Sequence, residues 1–173
     1  MAFVVEDGTG LATANSYNTI AFLDEYHTDR GNSSWVDESI AIKQAKAIIA
    51  TDYIDVRFNY LGQKLKTTQA LEFPRENLFL NGVQLEGVPD IVKKAHAELA
   101  LISLTQTLFN TPSTSEAGLL LTKERTRVGP IEEEFEYDPQ LGVRTVKDFP
   151  IPDRLLERLS GGPSSNSIFL ARG

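Results

Sequence analysis

The chain has no cysteine among its 173 residues and only two histidines, His27 and His96. The missing cysteines exclude a disulfide framework, a thiol nucleophile and any cysteine-ligated zinc or iron–sulfur centre. Two histidines leave little for metal ligation or acid–base work. Basic charge is also short: 17 Lys and Arg stand against 24 Asp and Glu, a formal net charge of −7. Lys and Arg contacts to phosphate dominate nucleic-acid affinity, so the balance argues against a tight binder, though it permits a local basic patch. No apolar run reaches the roughly 18 residues of a membrane span. The start, MAFVVEDGTG, lacks the basic opening and apolar core of a signal peptide, so an uncleaved cytosolic chain is expected. The expectations are no catalysis, no cofactor, no metal and no membrane.

What is present is one domain's worth of patterned chain. Phe3-Val4-Val5 reads as a short strand or arm, ended by a turn over Asp7 to Gly10. Asn18 or Thr19 is placed to cap a helix over about 20–30, stopped by Gly31. A second helix is predicted over 37–57. Ala41, Ala45, Ile48, Ile49, Tyr53 and Val56 share one face of it at i, i+3, i+4 spacing. Residues 58–87 read as irregular, interrupted by Gly62, Pro74, Gly82 and Gly87, with at most a helical turn over Thr67 to Leu71.

A third helix is predicted from Pro89 to about Phe109, with Val88, Ile91, Val92, Ala95, Leu99 and Ile102 as its stripe. Leu101, Leu104 and Leu108 then make it apolar nearly all round, the mark of a helix buried in a core or pressed between subunits. Residues 119–137 switch to period two. If Gly129-Pro130 were a two-residue loop, Arg127 would face Glu132, Arg125 would face Glu134, and Lys123 would face Glu136. Opposed unlike charges stabilise a sheet by about 0.2–1 kcal/mol each. Gly-Pro is not a favoured hairpin dipeptide, so one long bent strand competes with the hairpin. A short helix over about 152–159 precedes the ending SGGPSSNSIFLARG.

These readings give a mainly α fold: a bundle of about four helices, a small β-hairpin or long strand, and extended N- and C-terminal arms. The domain is placed at 1–159 and a flexible docking tail at 160–173. Within that tail Ile168, Phe169, Leu170 and Arg172 are either an idle end or a segment that docks on a partner. Gly8-Thr9-Gly10 hints at a phosphate loop without the Lys-Ser/Thr that completes one. Asp24 and His27 share a helix face as metal ligands would, yet a solvated helix end is the simpler reading. His96 reads as a surface or groove residue. The acids Glu132, Glu134 and Glu136 suit a cation site, a solvated or salt-bridged strand face, or a repulsive wall along a DNA channel.

Several stretches recur in a familiar order: Thr13-Ala14-Asn15-Ser16-Tyr17, Ala50 to Asp55, Gln69 to Arg75, Gly87 to Lys93 with Ala97 to Ala100, and Val128 to Glu132. In this order they resemble the tailed-phage proteins labelled DnaT-like single-stranded-DNA-binding, which are similar to head–tail connector adaptors. Phe73 departs from the pattern, where Trp is expected, and the likeness fades beyond Tyr137. The resemblance implies a subunit of a closed homo-oligomeric ring at the head–tail junction of a virion, assembled in the host cytoplasm. It implies a portal protein above, a tail-completion, stopper or tail protein below, and double-stranded DNA passing through without specific binding. On that reading Leu101, Leu104, Leu108, Arg125, Arg127, Glu132 and Glu134 are ring-interface candidates, and Ile168, Phe169, Leu170 and Arg172 dock on the portal or a neighbour. The label itself implies single-strand binding in replication. The ring is favoured because the charge is acidic and Phe22, Tyr26, Tyr53 and Phe109 fall on apolar helix faces.

Overall fold

The computed structural model describes residues 2–109, 123–128, 131–136 and 147–163. Two units make up the chain: Met1–Leu108 with Asp148–Ser164, and Phe109–Lys147 with Ser165–Gly173.

In the first unit the Thr19 hydroxyl accepts from Phe22 N and starts α1, Ile20–Thr28. The helix predicted over 37–57 forms as one helix that starts three residues late, and a separate turn precedes it. α2 is the single turn Ser33–Val36, and Ser39 then caps α3, Ile40–Arg57. α4, Asp90–Thr105, opens after Pro89 and stops four residues short of the predicted end. α5, Pro150–Glu157, carries Pro at its first turn, where a missing N–H costs nothing.

The expectation of a mainly helical bundle is overturned. Among the described residues five helices are joined by four small antiparallel strand pairs, a mixed α/β architecture. In the first unit β1 (Phe58–Tyr60) pairs with β8 (Ser160–Pro163), β2 (Gln63–Lys64) with β3 (Arg75–Glu76), and β4 (Phe79–Leu80) with β5 (Val83–Gln84). No helical turn forms over Thr67 to Leu71.

The cause lies in how the 58–87 stretch satisfies its backbone. Gly62 sits at φ 72°, and a Cβ there would fall 2.2 Å from the Glu76 carbonyl, so only glycine turns that corner. Arg75 then stitches the stretch. Its guanidinium donates to the carbonyls of Leu61 (2.7 Å), Tyr60 (3.0 Å) and Gly62 (2.9 Å), and to the Glu72 carboxylate (2.7 Å). One side chain thus replaces the hydrogen bonds that a helix would make internally.

The core lies between α3, α4 and this strand layer. Tyr60 packs edge-on to Phe73 with centroids 4.7 Å apart, and Tyr17 meets Phe73 at 5.9 Å. Such pairs add about 0.5–1.5 kcal/mol each beyond burial of area. The N-terminal segment is tied down rather than free. Val4 donates to the Asn15 side chain, Asn15 N donates back to the Val4 carbonyl, and Glu6 N donates to the Ser16 carbonyl. Residues 160–163, expected as the start of a loose tail, are the strand β8.

In the second unit β6 (Lys123–Val128) and β7 (Ile131–Glu136) form an antiparallel pair. The register opposes Lys123 to Glu136, Arg125 to Glu134, and Arg127 to Glu132. This is the register predicted from a two-residue connection, and it replaces the bent-strand alternative.

Candidate functional site

α3 is built inside out. Its buried positions are Lys43, Ala47, Ala50, Thr51, Tyr53, Ile54 and Arg57. Ala41, Ile42, Ala45, Ile48, Ile49 and Val56 are exposed or half-exposed. Ile42 is 40% and Val56 52% exposed. Of the aliphatic stripe predicted to face the core, Ala41, Ala45 and Val56 are exposed, Ile48 and Ile49 are half-buried, and Tyr53 alone is buried. The charge in that stripe is Asp52, exposed overall, whose carboxyl is raised above its ordinary value by partial desolvation.

The inner face explains the inversion. Lys43 reaches the Asp24 carboxylate at 2.9 Å and the Val36 carbonyl at 3.2 Å. Arg57 reaches Asp148 at 2.6 Å and Asp153 at 2.9 Å, and Asp153 also accepts from the Tyr53 hydroxyl and Phe149 N. Each buried charge has its counter-ion, which is the condition for burying one at all.

Both histidines are fully buried, which corrects the surface reading of His96 and the solvated helix end at His27. They repeat one device. The Asn18 amide donates to His96 Nδ1 (3.0 Å), and His96 Nε2–H donates to the Ala47 carbonyl of α3 (2.9 Å). The Asn32 amide donates to His27 Nδ1 (3.1 Å), and His27 Nε2–H donates to the Ala97 carbonyl of α4 (3.1 Å). Two neutral imidazoles thus pin α4 to α3 on one side and to α1 on the other. Burial pushes the His96 imidazole down to about 4 and lowers that of His27. Asp24, the other half of the suggested metal pair, is occupied by Lys43 and the Trp35 indole N–H. The described residues hold no cluster of three or more metal-ligating side chains.

The Gly8-Thr9-Gly10 loop does wrap an anion, but its own. The backbone N–H groups of Gly8 (2.9 Å), Gly10 (2.8 Å) and Leu11 (2.8 Å) converge on the Glu6 carboxylate.

The anticipated ring residues scatter. Leu108 is fully buried, so it belongs to the core and has no surface to offer a neighbour. Leu101 and Leu104 are half-buried. Arg125, Arg127, Glu132, Glu134 and Glu136 hold facing register positions in the second unit. Ile168, Phe169, Leu170 and Arg172 lie outside the described residues, as do Gly129 and Pro130.

One aromatic group faces outward in part. Phe22 stacks on Tyr26 at 6.2 Å, and the Arg30 guanidinium lies 3.5 Å over the Tyr26 ring. The Tyr26 hydroxyl donates to Glu98, and burial with that carboxylate pushes it up to about 12.

A family model described as "Putative DnaT-like ssDNA binding protein" matches residues 1–173. The chain belongs to this DnaT-like family. No curated protein and no solved structure matches it. The family match does not extend to a head–tail connector.

A DnaT-like protein that grips single strands needs a basic groove lined by stacking rings. Here Tyr17, Trp35, Tyr53, Phe58, Tyr60, Phe73 and Phe149 are all in the core. Arg57 and Arg75 are committed to carboxylates, as are Lys43 and Lys64. The sequence carried a signal for α3 that aliphatic counting missed. Lys43, Ala47, Ala50, Ile54 and Arg57 follow a 4-3-4-3 spacing, with a basic residue at each end.

Proposed function

We propose that this DnaT-like chain is a structural subunit that assembles with copies of itself into a closed ring, the adaptor at the head–tail junction of a virion. The observation that carries the reading is the outward aliphatic face of α3. Burying one Ile or Val side chain is worth about 1.5–3 kcal/mol, so a helix that leaves Ile42 and Val56 exposed and Ile48 and Ile49 only half-buried is short of a partner. The order of the sequence stretches that resemble connector adaptors supports the same reading. On it the chain has no catalytic task, the portal and a tail-completion, stopper or tail protein are its neighbours, and DNA passes without being gripped.

The test is sedimentation of the purified chain, alone and with the portal protein of the same phage. A ring-sized species that co-sediments with portal is expected. Truncation after Ser164 should remove portal binding and leave the fold intact. The cut belongs there because β8 is part of the first unit. A chain that stays monomeric at every concentration, with and without portal, overturns the reading.

A second reading has its own support. The family description speaks for single-strand binding, and Phe22 on Tyr26 under Arg30 is the arrangement on which a base stacks. Fluorescence anisotropy with an oligo-dT probe separates the two. Micromolar or tighter binding at physiological salt, lost in Phe22→Ala with Tyr26→Ala, would favour the binder.

A further inference from the structure

We propose that the outer face of α3 receives the outer face of α5 from a second copy of the chain, with Asp52 of one copy set against Arg154 and Arg158 of the other. This names the contact within the ring reading and rests on it. α5 buries Pro152, Asp153 and Leu156 and turns Ile151, Arg154, Leu155 and, at its C-cap, Arg158 the other way. These four positions fall at i, i+3, i+4 and i+7, a single stripe of two aliphatics and two cations. Ile151 is 67% exposed.

The two stripes complement one another in charge and in size. The α3 stripe has one acid in an otherwise aliphatic surface, and the α5 stripe has two bases, with the exposed Glu157 at its edge. Among the described residues Asp52, Arg154 and Arg158 make no ion pair within their own copy. Asp52 stands within the aliphatic stripe of α3, with Ile48, Ile49 and Val56 three or four positions away. Ala41 and Ala45 keep one end of the α3 stripe low, so a second helix can approach closely. Contact between two different faces is head-to-tail, the kind of contact that generates a ring when the rotation between copies closes.

The chain has no cysteine, so it can be cross-linked without background. Ala45→Cys and Leu155→Cys are made separately, one of them with a mass tag, checked for native circular dichroism, mixed in equal amounts and oxidised. A tagged–untagged heterodimer is expected from the mixture, and no homodimer from either variant alone. Adding Asp52→Arg to the first variant should cut the yield at least several-fold. Arg154→Glu with Arg158→Glu in the second should restore it. A homodimer of Ala45→Cys would mean that α3 meets its own copy, and absence of any cross-link would mean that these faces do not meet; either overturns the proposal. So would a yield indifferent to the charge changes. A charge-sensitive heterodimer from a chain that never binds portal would leave this contact standing and remove the adaptor reading.

Discussion

α3 and α4 are the two longest helices among the described residues, and they pack against each other, yet they treat their apolar residues in opposite ways. α4 buries Val92, Ala95 and Leu99, much of the stripe its sequence displays. α3 leaves most of its stripe exposed or half-buried and buries Lys43, Thr51 and Arg57. The difference is one of partners. Lys43 and Arg57 find carboxylates at Asp24, Asp148 and Asp153. Thr51 donates to the Ala47 carbonyl. A polar face with its partners supplied can go inside, and the aliphatic face is then released for another use.

That comparison can be broken at several depths. The largest effect is expected from Asp153→Ala, which strips the buried Arg57 guanidinium of its inner carboxylate. About 3–5 kcal/mol should be lost, read from urea unfolding. In α4, Leu99→Ala should cost about 2–5 kcal/mol by leaving a cavity. If the first change cost less than 1 kcal/mol, the ion pairs could not be what holds α3 in its inverted orientation.

The pH response comes next, and it divides between two buried groups. His96 is held down at about 4, so its contribution is complete above about 6.5 and is lost as pH falls through 4. Asp55 is pushed up to about 7 by burial, beneath the hydrogen bond it accepts from the Tyr17 hydroxyl. Its contribution is complete below about 3.8 and is lost as pH rises through 7. The two slopes oppose each other across one window, so wild-type stability should vary little between pH 4 and 7. Asp55→Asn keeps an acceptor for Tyr17 and removes one slope. Its melting temperature should overtake wild type as pH rises through 7, and a parallel pair of curves would refute the assignment. The smallest effect belongs to the outer face. Ile42→Ser with Val56→Ser should shift dilute-chain stability by no more than about 0.5 kcal/mol per site, while abolishing self-association.

Local signals in the sequence were reliable where the interaction is local. The Thr19 cap, the opening of α4 after Pro89 and the β6–β7 register depend on residues a few positions apart. Of the two readings of 119–137 the hairpin register is the one that forms, and the cap and the opening of α4 came out as read, apart from helix ends. The fold class did not, because the strand layer is organised by Arg75 reaching back to Tyr60, Leu61 and Gly62, and no periodicity records a side chain's reach. The same holds for the candidate surface. The α3 stripe was visible as apolar, but its direction depends on Asp148 and Asp153, some ninety or more positions away. His96 looked like a surface residue among lysines for a similar reason: its Asn18 partner is 78 positions off.

The loop that closes on Glu6 has a consequence of its own. A cradle of backbone amides ordinarily waits for phosphate or a nucleotide, and its shape then depends on what the solution supplies. Here the occupant is covalently attached and two to five residues upstream, so a dissolved anion has to compete with an intramolecular one of high effective concentration. The bend between the first residues and α1 is thereby self-contained, its anion supplied by the chain itself.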